Sequence, residues 1–250
     1  MKKIRKNSLL FLTACVNPNG MVQTALQDSG MRLQQYLEAI RFYIDNFDFR
    51  LLVVENTGVD FSQYFLKEIQ LGRLECLTFN GNNYNRILGK GYGEGLIIHH
   101  AFMHSCFLKE CDYIIKVSGR HQVLNLDSIV TASEWFLNSN PHLVVCEIIK
   151  EALFATSDCY IASKSFYETF LNKRLKDCDE SKMVWFEHIL YQCVCDAKTQ
   201  GFQFLYLPFD LDQRGVSGTL GKTLRKTNTK TKLRYFLRML SYKIGFVSLK

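Results

Sequence analysis

Four clusters of polar residues, each directly after a short apolar run, are the first candidates for chemistry in this 250-residue sequence. They lie at residues 13–17, 55–57, 80–85 and 116–120. In an open sheet of parallel strands, ligands bind outside the carboxyl ends of the strands. If the apolar runs are parallel strands, the four clusters meet at one edge of the sheet. We therefore predict that this edge forms the active-site cleft.

A second candidate is the segment 89–95, Gly-Lys-Gly-Tyr-Gly-Glu-Gly, which precedes a predicted helix over residues 95–108. Glycines let a backbone approach a ligand closely, and the start of a helix favours anions. The segment matches neither the dinucleotide-binding glycine pattern nor the Walker loop. It predicts either a phosphate or sugar contact, with Lys90, Gly91 and Glu94 as candidates, or a structural turn.

Strand-like and helix-like segments alternate along the chain, and they must position these residues. Short apolar runs predict strands, and apolar residues at 3-and-4 spacing predict amphipathic helices. The predicted strands are 9–15, 51–55, 74–79, 112–117, 142–149, 159–162 and 202–207, and the predicted helices are 31–47, 61–71, 95–108, 126–137, 164–171 and 184–198. This alternation predicts an α/β fold with a mainly parallel central sheet and helices on both faces.

Composition indicates a folded protein of a reducing compartment. The chain is 47% hydrophobic and 13% aromatic, which is unlike a disordered protein. No apolar run reaches the roughly 20 residues of a membrane span, and no cleavage site follows the short run at 9–16, so we expect a cytoplasmic protein. The nine cysteines include no Cys-x-x-Cys pair, which favours buried free thiols over a zinc site.

The net charge of +7 is concentrated at the end of the chain. Residues 213–250 hold ten of the 31 Lys and Arg and none of the 24 Asp and Glu, which leaves 21 basic against 24 acidic residues elsewhere. We predict a body of residues 1–222 and a basic tail of residues 223–250. Within the tail, residues 230–244 have the pattern of a basic amphipathic helix, which suits an anionic membrane surface. The alternative is a helix packed back on the body.

The order of these predicted elements resembles that of the glycosyltransferase-A fold. There the first strand ends in a loop that holds the nucleotide base, and the second ends in a turn with Asp, Glu or Asn. The matching positions are Thr13 and the pair Glu55 and Asn56. A later strand of the family ends in a metal-binding Asp-x-Asp motif.

Three segments also resemble bacterial transferases of the O-antigen and capsule type. They are residues 89–95, the Tyr-Ile-Ile-Lys-Val-Ser-Gly-Arg segment at 113–120, and the Ser-Gly-Thr-Leu-Gly segment at 217–221. The resemblance covers about residues 8–222 and implies a nucleotide-diphosphate-sugar donor. A lipid-linked glycan acceptor, met at the inner face of the cell membrane in surface polysaccharide synthesis, would explain the basic tail.

One departure from the family concerns its metal. The Asp-x-Asp position is occupied by Ser118, Gly119 and Arg120, which offer no carboxylate. This implies a metal-independent transferase, in which Arg120 or Lys116 neutralises the diphosphate as a fixed cation. A divalent Mn or Mg ion remains the alternative, and Arg120 could instead form a surface ion pair.

Two hydroxyl residues of the segment 217–221 are further donor-binding candidates. Ser217 and Thr219, together with the backbone amides around them, could hold a diphosphate. The alternative is a plain polar turn.

An inverting transfer also needs a base that takes the proton of the acceptor hydroxyl. In the family an acidic residue at the start of a late helix serves this role, and Glu187 matches that place, with Asp158 as the second candidate. A retaining enzyme would not need this base.

A nucleotidyltransferase is an alternative to the glycosyltransferase, but it would need metal-binding carboxylates. Because the excess of positive charge is confined to the tail and no recognition motif occurs, we expect no nucleic-acid partner, although a non-catalytic nucleic-acid-binding protein stays an alternative.

Overall fold

The centre of the molecule is a seven-stranded sheet. The computed structural model describes residues 3–136 and 140–215, together with Tyr235 and Leu237. The strands are β1 (Ser8–Ala14), β2 (Arg50–Glu55), β3 (Leu74–Thr78), β4 (Tyr113–Ser118), β5 (Leu143–Val145), β6 (Cys159–Ser163) and β7 (Gln203–Leu205). In space their order is β7-β5-β6-β4-β1-β2-β3. β6 runs antiparallel to both of its neighbours, and every other pairing is parallel.

Strands β1, β2 and β4 lie in the middle of the sheet and are buried on both faces. Strands buried in this way have nearly continuous apolar sequences, as in Leu-Leu-Phe-Leu of β1 and Leu-Leu-Val-Val of β2. Successive side chains point to opposite faces, so Leu10 and Leu12 enter one core whereas Leu9 and Phe11 enter the other.

Four long helices cover the two faces of the sheet: α1 (Ser29–Asn46), α2 (Gly89–His104), α3 (Leu126–Phe136) and α4 (Phe186–Thr199). Helices α1 and α3 pack in the first core, through Tyr43 and Ile129 for example. Helices α2 and α4 pack in the second, through Ile98 and Leu190. The predicted fold class, an α/β fold with a mainly parallel sheet and helices on both faces, is therefore confirmed.

The remaining elements are short. They are helical turns at Lys3–Lys6, Leu66–Gln70, Cys106–Glu110, Lys164–Phe166 and Asn172–Arg174, a π-turn at Tyr167–Leu171, 3₁₀ turns at Ser62–Tyr64, Arg86–Leu88, Lys150–Ala152, Leu175–Asp177 and Glu180–Lys182, and two small antiparallel pairs, Gln122–Val123 with Gln213–Arg214 and Ile148–Ile149 with Phe154–Ala155. Most predicted elements differ from the structure by one or two residues at their ends, and three differ more. The helix over 61–71 is split in two, the strand over 142–149 is interrupted after Val145, and the helix over 95–108 begins at Gly89.

Most of the predicted tail lies outside the described residues, as do the candidates Ser217 and Thr219. Tyr235 is described, and it is buried in the same core as Leu10. Leu237 is 55% exposed. Across the described part of the chain, no helix is long and apolar enough to cross a membrane. The boundary at residue 222 and the amphipathic tail helix stay predictions.

Candidate active site

A cleft of about 350 Å³ opens at the carboxyl ends of β1, β2 and β4. Because β6 is antiparallel, its amino-terminal end at Asp158 reaches the same edge. The predicted site residues that line the cleft are Thr13, Asn56, Lys90, Glu94, Ser118, Gly119, Arg120, Asp158 and Glu187. Glu55, Gly91 and Lys116 are not among the lining residues.

Two arginines flank the ring of Tyr36 in the cleft. Arg32, which is 5% exposed, donates from Nε and Nη2 to the carbonyl of Cys15 at 2.9 and 2.6 Å. Arg120 donates from Nη1 to Oε1 of Gln35 at 2.9 Å. Their guanidinium carbons lie 5.9 and 6.0 Å from the centroid of the Tyr36 ring.

Neither guanidinium forms an ion pair with a carboxylate of the described residues. Burial lowers the pKa of Arg120 from its ordinary value, but arginine starts so far above neutral that it stays charged. Arg32 and Arg120 therefore supply two positive charges that an anionic ligand would neutralise.

Gly119 brings the turn after β4 against the end of β1. Its N–H donates to the carbonyl of Thr13 at 3.1 Å, and a Cβ at this position would lie 2.5 Å from the same oxygen. The N–H of Ser118 donates to the carbonyl of Asp158 at 2.9 Å. The glycine and this hydrogen bond hold Arg120 and Asp158 at one edge of the sheet.

Glu187 lies in the first turn of α4 and faces the cleft. The hydroxyl of Ser157 donates to its Oε1 at 2.7 Å. Burial raises the pKa of Glu187, and the charge of Glu94 adds to this effect, whereas the Ser157 hydrogen bond and Lys90 oppose it. A carboxylate whose pKa is raised toward neutrality is a better proton acceptor than an ordinary one, which suits a general base.

Asp158 and His121 lie close to each other at the cleft. The Nδ1 atom of His121 lies 3.8 Å from Oδ1 of Asp158, whose side chain is 52% exposed. The two residues attract each other when the imidazole is protonated. Cys15 also lines the cleft, but burial raises the pKa of its thiol to about 11, so the thiol stays protonated and is not a nucleophile.

The structure places Lys116 inside the protein, where it was predicted to meet the diphosphate. Its side chain is fully buried and forms an ion pair with Glu94. Its Nζ donates to the carbonyl of Ser157 at 2.8 Å and lies 6.0 Å from the ring centroid of Tyr160. The physical reason is strand alternation, because Lys116 shares the face of β4 that carries Ile114 toward the second core. Its charge is already neutralised by Glu94.

Glu55 was predicted to contact the donor, but it is fully buried. Its Oε1 accepts from the N–H of Val16 at 2.9 Å, and its Oε2 accepts from the N–H groups of Thr57 and Val59 at 2.7 and 2.9 Å. Glu55 therefore fixes the loops that follow β1 and β2. Its neighbour Asn56 does line the cleft, and its buried Oδ1 has no hydrogen-bond partner among the described residues, so this oxygen is free to accept a hydrogen bond from a ligand.

The glycine-rich segment was predicted as a loop before a helix, and this is wrong, because residues 89–95 form the first turns of α2. A Cβ on Gly91 would lie 2.8 Å from Sγ of Cys178 and 3.0 Å from the backbone N of Phe186. The glycines thus let the segment 172–186 pack closely against the helix. The N–H of Gly91 donates to Oε1 of Glu180 at 2.9 Å. A protein carboxylate therefore occupies the place where a ligand phosphate was expected.

A divalent metal ion, which the Asp-x-Asp motif of the resembled family implies, does not fit the residues in this part of the cleft. Within residues 3–136 and 140–215, no group of three or more His, Cys, Asp and Glu side chains is placed to hold a metal ion. Glu94 is paired with Lys116, and Arg120 puts a positive charge where the motif would put carboxylates.

Sequence reasoning missed several residues of the cleft, among them Arg32, Tyr36, His121 and Ser157. The sequence held a signal for the first two. Tyr36 is one of the apolar residues at 3-and-4 spacing in the predicted helix 31–47, and Arg32 stands one turn earlier on the same face. A charged residue on a buried helix face needs a polar partner or a ligand. Nothing in the sequence marked His121 or Ser157.

Comparisons with known proteins find likeness only at the level of three-dimensional structure. No family model and no curated protein matches the sequence. A protein assigned as a nucleotide-diphospho-sugar transferase from Desulfovibrio desulfuricans is 10% identical over 80% of this chain and 79% of its own, with a TM-score of 0.47. A cytidylyltransferase from Leptospira borgpetersenii is 11% identical over 98% of each chain, with a TM-score of 0.46. TarS residues 1–349 from S. aureus is 10% identical over 98% of this chain and 75% of its own, with a TM-score of 0.45. Because sugar transferases and nucleotidyltransferases both occur, this likeness does not choose a reaction.

Proposed function

We propose that this chain is a metal-independent glycosyltransferase that uses a nucleotide-diphosphate-sugar donor. The observation that carries the proposal is the pair Arg32 and Arg120, two cleft guanidiniums without a carboxylate partner among the described residues. Guanidinium groups bind phosphate oxygens in a bidentate manner and remain charged. Arg120 would contact the diphosphate directly, whereas Arg32, whose Nε, Nη1 and Nη2 already donate to the carbonyls of Cys15 and Leu26, would contribute its positive charge. Together they would neutralise the charge that develops on the diphosphate as it leaves.

The remaining cleft residues divide between the donor and the base. Thr13, Asn56, Ser118 and Gly119 would bind the donor's nucleoside and diphosphate, with the Oδ1 of Asn56 as an acceptor for a ligand N–H or O–H. Lys90 and Glu94 lie on the cleft face of α2 and would contact the sugar. Ser217 and Thr219 remain proposed diphosphate contacts from outside the described residues.

The proposed reaction is a single displacement at the anomeric carbon. The acceptor oxygen attacks this carbon while the bond from carbon to the phosphate oxygen breaks, and its electron pair leaves with the nucleoside diphosphate. The hydroxyl proton of the acceptor passes to Glu187, whose Oε1 is held by Ser157. Asp158 is the second candidate base. We further propose a lipid-linked glycan acceptor, met at an anionic membrane surface through the basic tail at the cytoplasmic side.

Calorimetry with UDP, GDP and CMP in EDTA tests the proposal. We expect one nucleotide to bind, and Arg120→Ala to weaken that binding at least about tenfold, because a hydrogen bond to a charged group contributes about 1.5–3 kcal/mol. Arg73→Ala is the matched control. Its guanidinium is likewise held by a protein oxygen, the backbone carbonyl of Phe47 at 2.6 Å, where Arg120 has the side chain of Gln35, but Arg73 precedes β3 at the opposite edge of the sheet.

Three outcomes would contradict parts of the proposal. Binding that requires added manganese would refute metal independence. Absence of binding for every nucleotide would refute the transferase assignment and favour a non-catalytic role, including binding of nucleic acid by the tail. Release of pyrophosphate from a nucleoside triphosphate, in place of nucleoside diphosphate from a sugar nucleotide, would show a nucleotidyltransferase.

A further inference from the structure

A continuous chain of polar contacts links the interior of the sheet to the proposed base. It begins with the ion pair of Glu94 on α2 and Lys116 on β4. The ammonium of Lys116 donates to the carbonyl of Ser157 at 2.8 Å. The hydroxyl of the same Ser157 donates to Oε1 of Glu187 at 2.7 Å. Ser157 therefore connects β4 with α4, and the ion pair of Lys116 with Glu94 extends this chain of contacts to α2.

The buried position of Lys116 needs an explanation beyond stability. Its side chain is fully buried in an otherwise apolar strand, and replacing a buried ion pair by apolar residues is often neutral or stabilising. Glu94 reaches the cleft, where its side chain is 22% exposed. Ser157 stands in the loop between the strand Phe154–Ala155 and β6, and its neighbours Thr156 and Asp158 form backbone hydrogen bonds with Glu147 and Ser118. The ammonium of Lys116 adds a hydrogen bond at the carbonyl of the serine itself.

We propose that Lys116 is a positioning residue for Glu187, which it holds in place through Ser157, and that Glu94 is the counter-ion of Lys116 in the sheet. The assignment of Glu187 as the base rests on the proposed function, whereas the positioning of its carboxylate does not. Lys116 touches neither donor nor acceptor in this arrangement. This differs from a role as a cation that binds the diphosphate.

The groups that face Glu187 set the direction of each expected change. Glu94 and Lys90 face it from α2, the hydroxyl of Ser157 faces it from the loop before β6, and the thiol of Cys178 lies near it. The Ser157 hydrogen bond favours the ionised carboxylate, so losing it raises the pKa of Glu187. Removing the charge of Glu94 lowers this pKa, because like charges no longer repel.

The test is an NMR titration of the protein labelled with ¹³C at the glutamate carboxyl carbons, without any substrate. Glu187→Gln identifies the signal. We expect Ser157→Ala and Lys116→Met each to move the titration midpoint of Glu187 upward by about one pH unit, which is about a tenfold fall in the ionised fraction below both midpoints. Glu94→Gln moves it downward, because it removes a like charge while Nζ of Lys116 still donates to the carbonyl of Ser157. Lys67→Met, an exposed lysine before β3, is the matched control and leaves it unchanged.

The double variant Lys116→Met/Ser157→Ala shows whether Lys116 changes the titration of Glu187 through Ser157. If Lys116 acts through Ser157, the double variant titrates like Lys116→Met alone, because the serine hydrogen bond is already lost. A midpoint displaced by the sum of the two single changes overturns the proposal, as does an unchanged midpoint in Lys116→Met.

Should Lys116→Met fail to fold because Glu94 is left unpaired, a second comparison replaces it. Glu94→Gln/Lys116→Met is compared with Glu94→Gln, and a higher midpoint in the double variant supports the proposal, whereas equal midpoints refute it. Because no donor or acceptor is present, failure of the transferase assays leaves this result intact.

Discussion

Gly91→Ala separates two explanations of the glycine-rich segment. If the segment binds a phosphate through its backbone, the change should weaken nucleotide binding and leave the fold stable. In the structure, however, Gly91 lies inside α2 and packs against the segment that leads into α4. The structure therefore predicts loss of stability with little change in nucleotide binding.

The magnitude follows from the atoms that a Cβ would meet. It would lie 2.8 Å from Sγ of Cys178, 3.0 Å from the backbone N of Phe186 and 3.1 Å from Cβ of Phe186. Two of these atoms belong to or adjoin the backbone at the start of α4, so they cannot move aside cheaply. Because the contact with Sγ of Cys178 is shorter than any ordinary Cβ contact, we expect a cost in the upper part of the overpacking range, about 2–3 kcal/mol. The helix propensity of alanine returns about 1 kcal/mol, which leaves a net loss of about 1–2 kcal/mol.

Thermal unfolding and calorimetry on one preparation test this prediction. For a chain of this size the loss corresponds to a fall in Tm of about 2–8 °C. Gly30→Ala is the matched control, because Gly30 is also helical and its Cβ would meet only the Oδ1 atom of Asp28, at 3.3 Å. We expect no loss of Tm there. An unchanged Tm for Gly91→Ala together with lost nucleotide binding would refute the packing argument.

Three further predictions concern carboxylates, two of which should stabilise the fold and one of which should destabilise it. Glu180→Ala removes the acceptor that caps Gly91, and we expect a loss of about 1–2 kcal/mol in urea unfolding; an unchanged midpoint would show that water replaces the cap without cost. Glu55→Gln sets an amide NH₂ against backbone N–H donors in a fully buried place, so we expect a loss of about 3 kcal/mol, and a smaller loss than for Glu180→Ala would contradict this reasoning. Glu187→Gln should raise Tm at about pH 7, where the raised pKa of Glu187 makes ionisation costly to the fold. This gain should disappear at about pH 4, where the wild-type carboxyl is itself protonated in the folded state. An equal gain at both pH values would exclude ionisation as its cause.

The middle strands of the sheet could be predicted from the sequence because they are buried on both faces. A run such as Leu-Leu-Val-Val of β2 has few alternatives once its length and its polar end are considered. The antiparallel direction of β6 could not be predicted, since an apolar run carries no sign of its direction. That direction matters for the site, because it brings Asp158 to the edge where β1 and β4 end.

The start of α2 was mispredicted because glycine has a low helix propensity, and four glycines in seven residues suggest a loop. Their helical conformation is imposed by tertiary contacts, such as the one between Gly91 and Cys178. At Gly95 the backbone carbonyl of Leu175 packs so closely that an added Cβ would lie 3.1 Å from its oxygen. These contacts involve residues about eighty positions away in the sequence. Local propensity cannot report them, and so Lys90 and Glu94 were placed on a loop, whereas they project from a helix.

Lys116 shows how the same limit affects the assignment of chemistry. In sequence it adjoins Ser118 and Arg120, and together they look like one polar strand end. Their positions relative to the end of β4 separate them, because Lys116 lies within the strand with its side chain buried toward the α2 face, whereas Arg120 lies in the turn beyond the strand and lines the cleft. The buried lysine is then matched by a carboxylate of α2, and the arginine has no such partner among the described residues. Because an unmatched charge at a cleft attracts a ligand of opposite charge and a matched one does not, the two cations have different roles. Arg120 is placed to bind an anionic ligand, and Lys116 is placed to hold Ser157 against Glu187.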